Sequence, residues 1–150
     1  MSWDYDDFEL SGDYLGSILY IFYHNHKKYM KNKLSDYGLS IIQAFCIVKV
    51  HNNELISQKD LSDEFALTKG AITKAITQLE DDGIIIRTVN ELDRRQYFLE
   101  LTDRGESLIP VLMDINKEWR DKMGLEDIDP IFIETFIDLT KKSIFLNIST

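Results

Sequence analysis

The apolar positions of this chain change period several times, and each change marks a new element. Leu10, Tyr14, Ile18, Ile21, Phe22 and Tyr29 recur near helical spacing, so residues 10–33 are expected to form one long amphipathic helix. Ser35 to Gly38 interrupts it with turn-forming residues. From Leu39 to Val50 the apolar residues, among them Ile42, Phe45 and Cys46, lie on several sides of a helix, which predicts an element buried on most faces. Ser57 followed by Asp60 is a near-match to a capping box, and Leu61 and Phe65 lie four apart behind it, so a short third helix starts there. Thr68 is a second N-cap, with Leu67 placed to staple onto Ile72. Beyond that cap Ile72, Ala75, Ile76 and Leu79 make one stripe, while Lys69, Thr73, Lys74, Thr77 and Gln78 fall on the outward face. Gly83 supplies the left-handed stop of this fourth helix.

The period then changes from helical to alternating. Ile84 to Val89 is rich in β-branched residues, Asn90 to Arg94 is polar, and Gln96 to Leu101 alternates Phe98 and Glu100 against Tyr97, Leu99 and Leu101, which is the pattern of a two-stranded hairpin. Thr102 caps a fifth helix carrying Leu108, Leu112, Ile115 and Trp119, which Pro110 is expected to kink or to divide. Asp129 and Pro130 open a sixth helix along Ile133, Phe136, Ile137 and Ile144. With no internal repeat, low-complexity tract or Pro/Gly-rich linker, the 150 residues are expected to form a single, mainly α domain with a small β-hairpin.

Two short helices joined by the tight connector Ala66 to Thr68 satisfy the demands of a helix-turn-helix, in which the second helix enters the major groove of DNA. Its leading residues must be short enough for close approach, as Thr68, Gly70, Ala71 and Thr73 are, and Lys69 and Lys74 can reach phosphates. A hairpin directly after such a helix is a wing, whose tip can project an arginine into the narrow, electronegative minor groove. Arg94 and Arg95 stand at that tip.

Charge narrows this expectation. A net charge of −9 repels polyphosphate in general, and from Ser57 to Arg104 ten acidic residues still outnumber seven basic ones. Between Thr68 and Leu79, however, there are two lysines and no acid, and between Ile84 and Phe98 three arginines, Arg87 included, face Glu91 and Asp93. Only these two stretches are candidates for contacting phosphate.

Other chemistry finds little support. The apolar runs Ile18 to Tyr23 and Ile41 to Val48 are far shorter than the ~20 residues of a membrane span. Residues Met1 to Glu9 are acidic and lack the features of a secretory signal, and the single Cys46 cannot form an internal disulfide, so a cytoplasmic location is expected. His24 and His26, two apart on a helix, point away from each other and cannot share a metal ion. The acidic runs Asp4 to Asp7 and Glu126 to Asp129 read as a frayed terminus and a solvated loop rather than metal cages, and Cys46 as a small buried thiol. No phosphate loop or catalytic triad is visible, so neither catalysis nor a cofactor or metal is expected.

Over nearly its whole length the chain resembles the multiple-antibiotic-resistance regulator (MarR) family of winged helix-turn-helix repressors. The resemblance rests on Thr68-Lys69-Gly70-Ala71-Ile72-Thr73-Lys74, on Leu79-Glu80-Asp81-Asp82-Gly83-Ile84-Ile85-Ile86-Arg87, and on Asp93-Arg94-Arg95 followed by Leu101-Thr102-Asp103-Arg104-Gly105. It implies that Arg95 enters the minor groove with Asp93 orienting it, and that Arg94 neutralises phosphate. It also departs from the family, because Asn90-Glu91-Leu92 stands where a second acid-arginine pair is usual.

The resemblance implies a homodimer in which residues 10–33 and 102–148 form a helical dimerisation region and residues 39–101 the winged DNA-binding lobe, set on a palindromic operator. The stripes of residues 10–33 and 130–146 agree, although the same residues could close the core of a monomer. It further implies a small aromatic or phenolic anion bound between the dimer helices and the winged lobe, where Tyr20, Tyr23 and Phe45 could line a cleft or be plain core. The competing expectation is a winged helix that binds protein rather than DNA, which would have no use for Arg94 and Arg95 at a bare tip.

Overall fold

A computed structural model of the chain describes residues 9–148. The run Asp4 to Asp7 lies outside the described residues. The helices are α1 (Leu15–Leu34), α2 (Ile41–Asn52), α3 (Gln58–Glu64), α4 (Lys69–Asp81), α5 (Asp103–Met123) and α6 (Pro130–Ile148), with an antiparallel hairpin β1 (Ile85–Val89) and β2 (Tyr97–Leu101) between α4 and α5. Contacts divide the chain into two units, Met1–Ile41 and Ile42–Thr150.

In the first unit the helix begins later than its apolar pattern suggests. Ser11 accepts the Asp13 N–H on its side chain and the Tyr14 N–H on its carbonyl, which winds Gly12–Tyr14 into a separate 3-10 turn and leaves Leu10 outside. At the other end Gly38, at φ 66°, allows the Leu39 N–H to reach back to the Leu34 carbonyl at 3.2 Å. Met30 and Leu34 are buried, whereas Leu15, Leu19, Tyr20, Ile21 and Tyr23 are between 42% and 66% exposed.

The core of the second unit gathers Cys46 and Ile47 of α2, Leu61 of α3, Ile72, Ile76 and Leu79 of α4, Ile85 and Leu99 of the hairpin, and Ile109, Leu112 and Ile115 of α5. The α4 stripe falls as its spacing predicts, with Ile72, Ala75, Ile76 and Leu79 buried, and each buried Ile or Leu contributes about 1.5–3 kcal/mol. Its last turn closes in a Schellman motif: the Ile84 N–H bonds the Leu79 carbonyl at 2.8 Å and the Gly83 N–H bonds that of Glu80 at 2.9 Å, with Gly83 at φ 70°. The chain turns directly into β1.

The hairpin pairs Ile85 with Leu101 through to Val89 with Tyr97. An isolated bridge extends this two-stranded sheet, since the Leu99 N–H bonds the Ile56 carbonyl at 2.9 Å and Ser57 bridges Phe98. That bridge was not expected, because one residue carries no alternation.

Thr102 then joins three elements. Its hydroxyl accepts the Gly105 N–H and donates to the Gly83 carbonyl at 2.6 Å, while its backbone N–H bonds the Ile84 carbonyl at 3.0 Å. Helix α5 runs through Pro110 without dividing; the ring removes one hydrogen bond from 21 residues, and Ile109, Leu112 and Ile115 hold both sides of it against the core. In α6, opened by the Asp129 carboxylate accepting the Ile131 N–H, no residue is buried, and Ile131, Phe132, Ile133, Phe136, Ile137 and Leu139 are 39–67% exposed.

Candidate nucleic-acid interface

Helix α3 begins with a complete capping box: the Ser57 hydroxyl accepts the Asp60 N–H and the Asp60 carboxylate accepts the Ser57 N–H at 2.9 Å. Those bonds hold the Asp60 carboxyl below its ordinary pKa. The turn after α3 is tied in both directions, since the Leu67 N–H bonds the Ser62 carbonyl at 3.1 Å and the Ser62 hydroxyl donates back to the Leu67 carbonyl at 2.7 Å. Between them Ala66 takes φ 51°, the left-handed conformation that a tight helix-helix corner needs. Neither Ser62 nor Ala66 announces this role in the sequence, where a glycine would have been the usual signal.

Thr68 caps α4 by accepting the Ala71 N–H at 3.2 Å, and Lys69, Gly70, Thr73, Lys74, Thr77 and Gln78 are all exposed on the side away from the buried stripe. A Cβ at Gly70 would meet nothing within 4 Å, so the packing does not require glycine there. Lys69 and Thr73 line a shallow depression of about 240 Å³ with Gln58, Lys59 and Ile72. The Gln58 side chain donates to the Thr73 hydroxyl at 3.3 Å, and the Gln78 amide donates to Asp82 at 3.2 Å.

At the hairpin tip the Asn90 and Asp93 side chains organise the backbone. Asn90 accepts the Leu92 N–H at 3.0 Å, and Asp93 accepts the Arg95 N–H at 3.1 Å. The Arg94 side chain lines a surface depression with Val89 and Glu91, and both arginines are exposed.

The distribution of partners sets the electrostatics. Asp63 pairs with Lys59 at 3.1 Å, Glu64 with Lys49, and Glu80 with Arg87 at 2.9 Å, while Glu100 accepts from the Thr88 hydroxyl. The acids of the lobe are therefore largely engaged within the chain. Lys69, Lys74, Arg94 and Arg95 have no carboxylate partner among the described residues. Arg87 differs from the other expected site residues, because it is only partly exposed and its Nε faces Glu80 without the alignment of a hydrogen bond. It ties the end of α4 to β1 instead of standing free.

The aromatic residues are placed separately. In the first unit Tyr20 and Tyr23 flank the His24 ring at 4.2 and 5.5 Å between centroids; in the second, Phe45 stacks on Phe65 at 5.5 Å. Among the described residues no three His, Cys, Asp or Glu side chains cluster to hold a metal ion, and no helix is long and apolar enough to cross a membrane.

Known proteins share this arrangement. The MarR family model matches residues 39–97. The chain is 31% identical over 110 residues to the HTH-type transcriptional regulator BilQ of Clostridioides difficile, covering 73% of this chain and 74% of that one. Its fold is similar to the crystal structure of MarR, with TM-score 0.79, 25% identity and coverage of 95% of this chain and 100% of the other. The fold is also that of MepR from S. aureus in complex with DNA (TM-score 0.74, 20% identity, 89% and 97% covered) and of CouR from Rhodococcus jostii RHA1 bound to p-coumaroyl-CoA (TM-score 0.79, 19% identity, 89% and 93% covered).

Proposed function

This chain belongs to the MarR family of winged helix-turn-helix transcriptional regulators, and from that premise we propose that it represses transcription as a homodimer seated on a palindromic operator. The observation that carries the proposal is the set of exposed cations, Lys69 and Lys74 on α4 and Arg94 and Arg95 on the wing, which have no carboxylate partner among the described residues, in a chain of net charge −9 where Asp63, Glu64 and Glu80 pair with other cations. Helix α4 docks in the major groove, with Thr68, Gly70, Thr73 and Gln78 facing base edges and Lys69 and Lys74 on phosphates. For Gln78 this requires release of Asp82. Arg95 enters the adjacent minor groove and Arg94 neutralises phosphate, while Arg87 and Asp93 hold the wing in shape.

The exposed apolar faces of α1 and α6 support the dimer, since a lone copy would leave Leu15, Leu19, Ile133, Phe136 and Ile137 in water. Two-fold symmetry then places one α4 on each half-site. The protein acts in the cytoplasm, where its DNA lies, and performs no catalysis. A small aromatic or phenolic anion relieves repression, in keeping with the aromatic acyl ligand in CouR; the half-exposed rings of Tyr20 and Tyr23 are available to stack on it, whereas Phe45 is already stacked on Phe65.

Selection of genomic fragments with the purified full chain tests the core of the proposal. A palindromic sequence should be recovered, transcription from a template bearing it should fall when the protein is added, and Arg95→Ala should weaken binding at least about tenfold at fixed salt. Absence of any selectively retained fragment would instead favour a protein-binding winged helix. Salicylate, as the probe anion, should raise thermal stability and release the fragment; no effect on either removes that ligand class.

A further inference from the structure

The wing tip presents an apolar side chain where water offers it nothing. Leu92 is 98% exposed, while the next most exposed large apolar residue described, Leu146, stands at 73%. This presentation is built into the loop. The Asn90 carboxamide accepts the Leu92 N–H at 3.0 Å, the Asn90 carbonyl accepts the Asp93 N–H at 3.2 Å, and the strands close below through Asn90 N–H to the Gln96 carbonyl at 3.0 Å. On the other flank the Gln96 N–H bonds the Asp93 carbonyl at 2.9 Å and the Asp93 carboxylate holds the Arg95 N–H at 3.1 Å. Five hydrogen bonds thus fix a seven-residue tip, Asn90 to Gln96, that stabilises no core and carries one leucine at its apex, three residues from Arg95.

We propose that Leu92 is an apolar wedge that enters the DNA minor groove beside Arg95 and pushes into a base step, loosening its stacking. The inference rests on the DNA-binding reading above. Apolar side chains inserted this way are a recurrent means of deforming the minor groove, and flexible pyrimidine–purine steps yield to them at least cost. The cations beside it favour DNA over a protein partner: Arg94 and Arg95 have no carboxylate partner among the described residues and would draw the tip onto phosphate. Leu92 then contributes sequence preference through deformability, at positions that no polar group of the wing contacts.

The test uses the full chain and duplexes selected by it from a random-sequence pool, with 2-aminopurine placed at successive steps of the flanks. Leu92→Ala removes only solvent-exposed atoms and should leave thermal unfolding unchanged. It should weaken binding by about tenfold, the worth of most of a buried leucine side chain, while the slope of log affinity against log salt stays the same because no charge is lost. The parent should raise 2-aminopurine fluorescence at one step in each flank, and the variant should not. Arg95→Ala, by contrast, should flatten the salt slope. If Leu92→Ala binds like the parent and no step brightens, the wedge is wrong and the DNA-binding reading stands; if the parent selects no duplex, both fall.

Discussion

Gly105→Ala is the substitution most sharply decided by the packing. Gly105 sits in the first turn of α5, and a Cβ there would lie 2.4 Å from the Ile84 carbonyl oxygen and 3.2 Å from Leu101 Cβ. Heavy atoms attract at roughly 3.5–4.0 Å, so either α5 or the base of the hairpin must move by about an ångström. The Ile84 carbonyl cannot yield without loss, because it accepts the Thr102 N–H at 3.0 Å. Overpacking of this kind costs about 1–3 kcal/mol, and the weakened bond about 1 more, against a gain of at most about 1 from alanine's helix propensity. The net destabilisation is about 1–3 kcal/mol, and at roughly 2–4 °C per kcal/mol for a chain of this size Tm should fall by about 5 °C. Gly70→Ala is the matched control: its Cβ enters open space, so the same change should stabilise the fold by about 0.5–1 kcal/mol while hindering the approach of DNA. Thermal and urea unfolding of the two variants would settle the matter. A Gly105→Ala protein as stable as the parent would refute the close packing of α5 on the wing.

Three further outcomes follow from the same structure. Ala66→Gly should stabilise the chain by up to about 1 kcal/mol, seen as a higher urea midpoint at unchanged slope, since glycine relieves the left-handed strain at φ 51° at a smaller cost in unfolded-state entropy. Asp60→Ala should cost about 1 kcal/mol at neutral pH. Because the folded-state pKa of Asp60 is depressed, its contribution is complete above the ordinary value of 3.8 and is lost as pH falls below that, so the two proteins should converge in stability in strong acid; a gap that persists there would contradict the capping role. Cys46 is fully buried and burial pushes its thiol up to about 11, so a disulfide reagent at pH 8 should react with it no faster than the chain opens, and prompt modification would disprove its placement.

The reading lobe was legible because its signals are local. The stripe Ile72, Ala75, Ile76, Leu79 has a fixed spacing, Thr68 and Thr102 are cap residues at helix starts, and Gly83 is the residue type that a left-handed stop favours, so each declares itself within one or two turns. What stayed hidden depends on partners distant in sequence or on backbone shape. Nothing near Arg87 says that Glu80 will hold it, and an acid seven residues upstream is common in any charged helix. Asp93 was expected to orient Arg95, and the bond its carboxylate makes to the Arg95 main-chain N–H is a detail that side-chain identity does not encode. Ala66 carries a conformation normally marked by glycine, and the single pairing of Ile56 with Leu99 has no pattern to reveal it. The late start of α1 reflects competition, since Ser11 offers the backbone a local bond that a count of apolar positions ignores.

Ile84 is the residue where these elements meet. Its N–H terminates α4, its carbonyl receives Thr102, and Gly105 of α5 lies against that same oxygen, all within one peptide unit on either side. Such a junction behaves as a welded corner: a tilt of α4 must carry the wing and the start of α5 with it, because no rotatable span separates them. A signal that alters the grip on DNA therefore has to swing this whole assembly as one body, and the pliant points that permit the swing must be sought outside it.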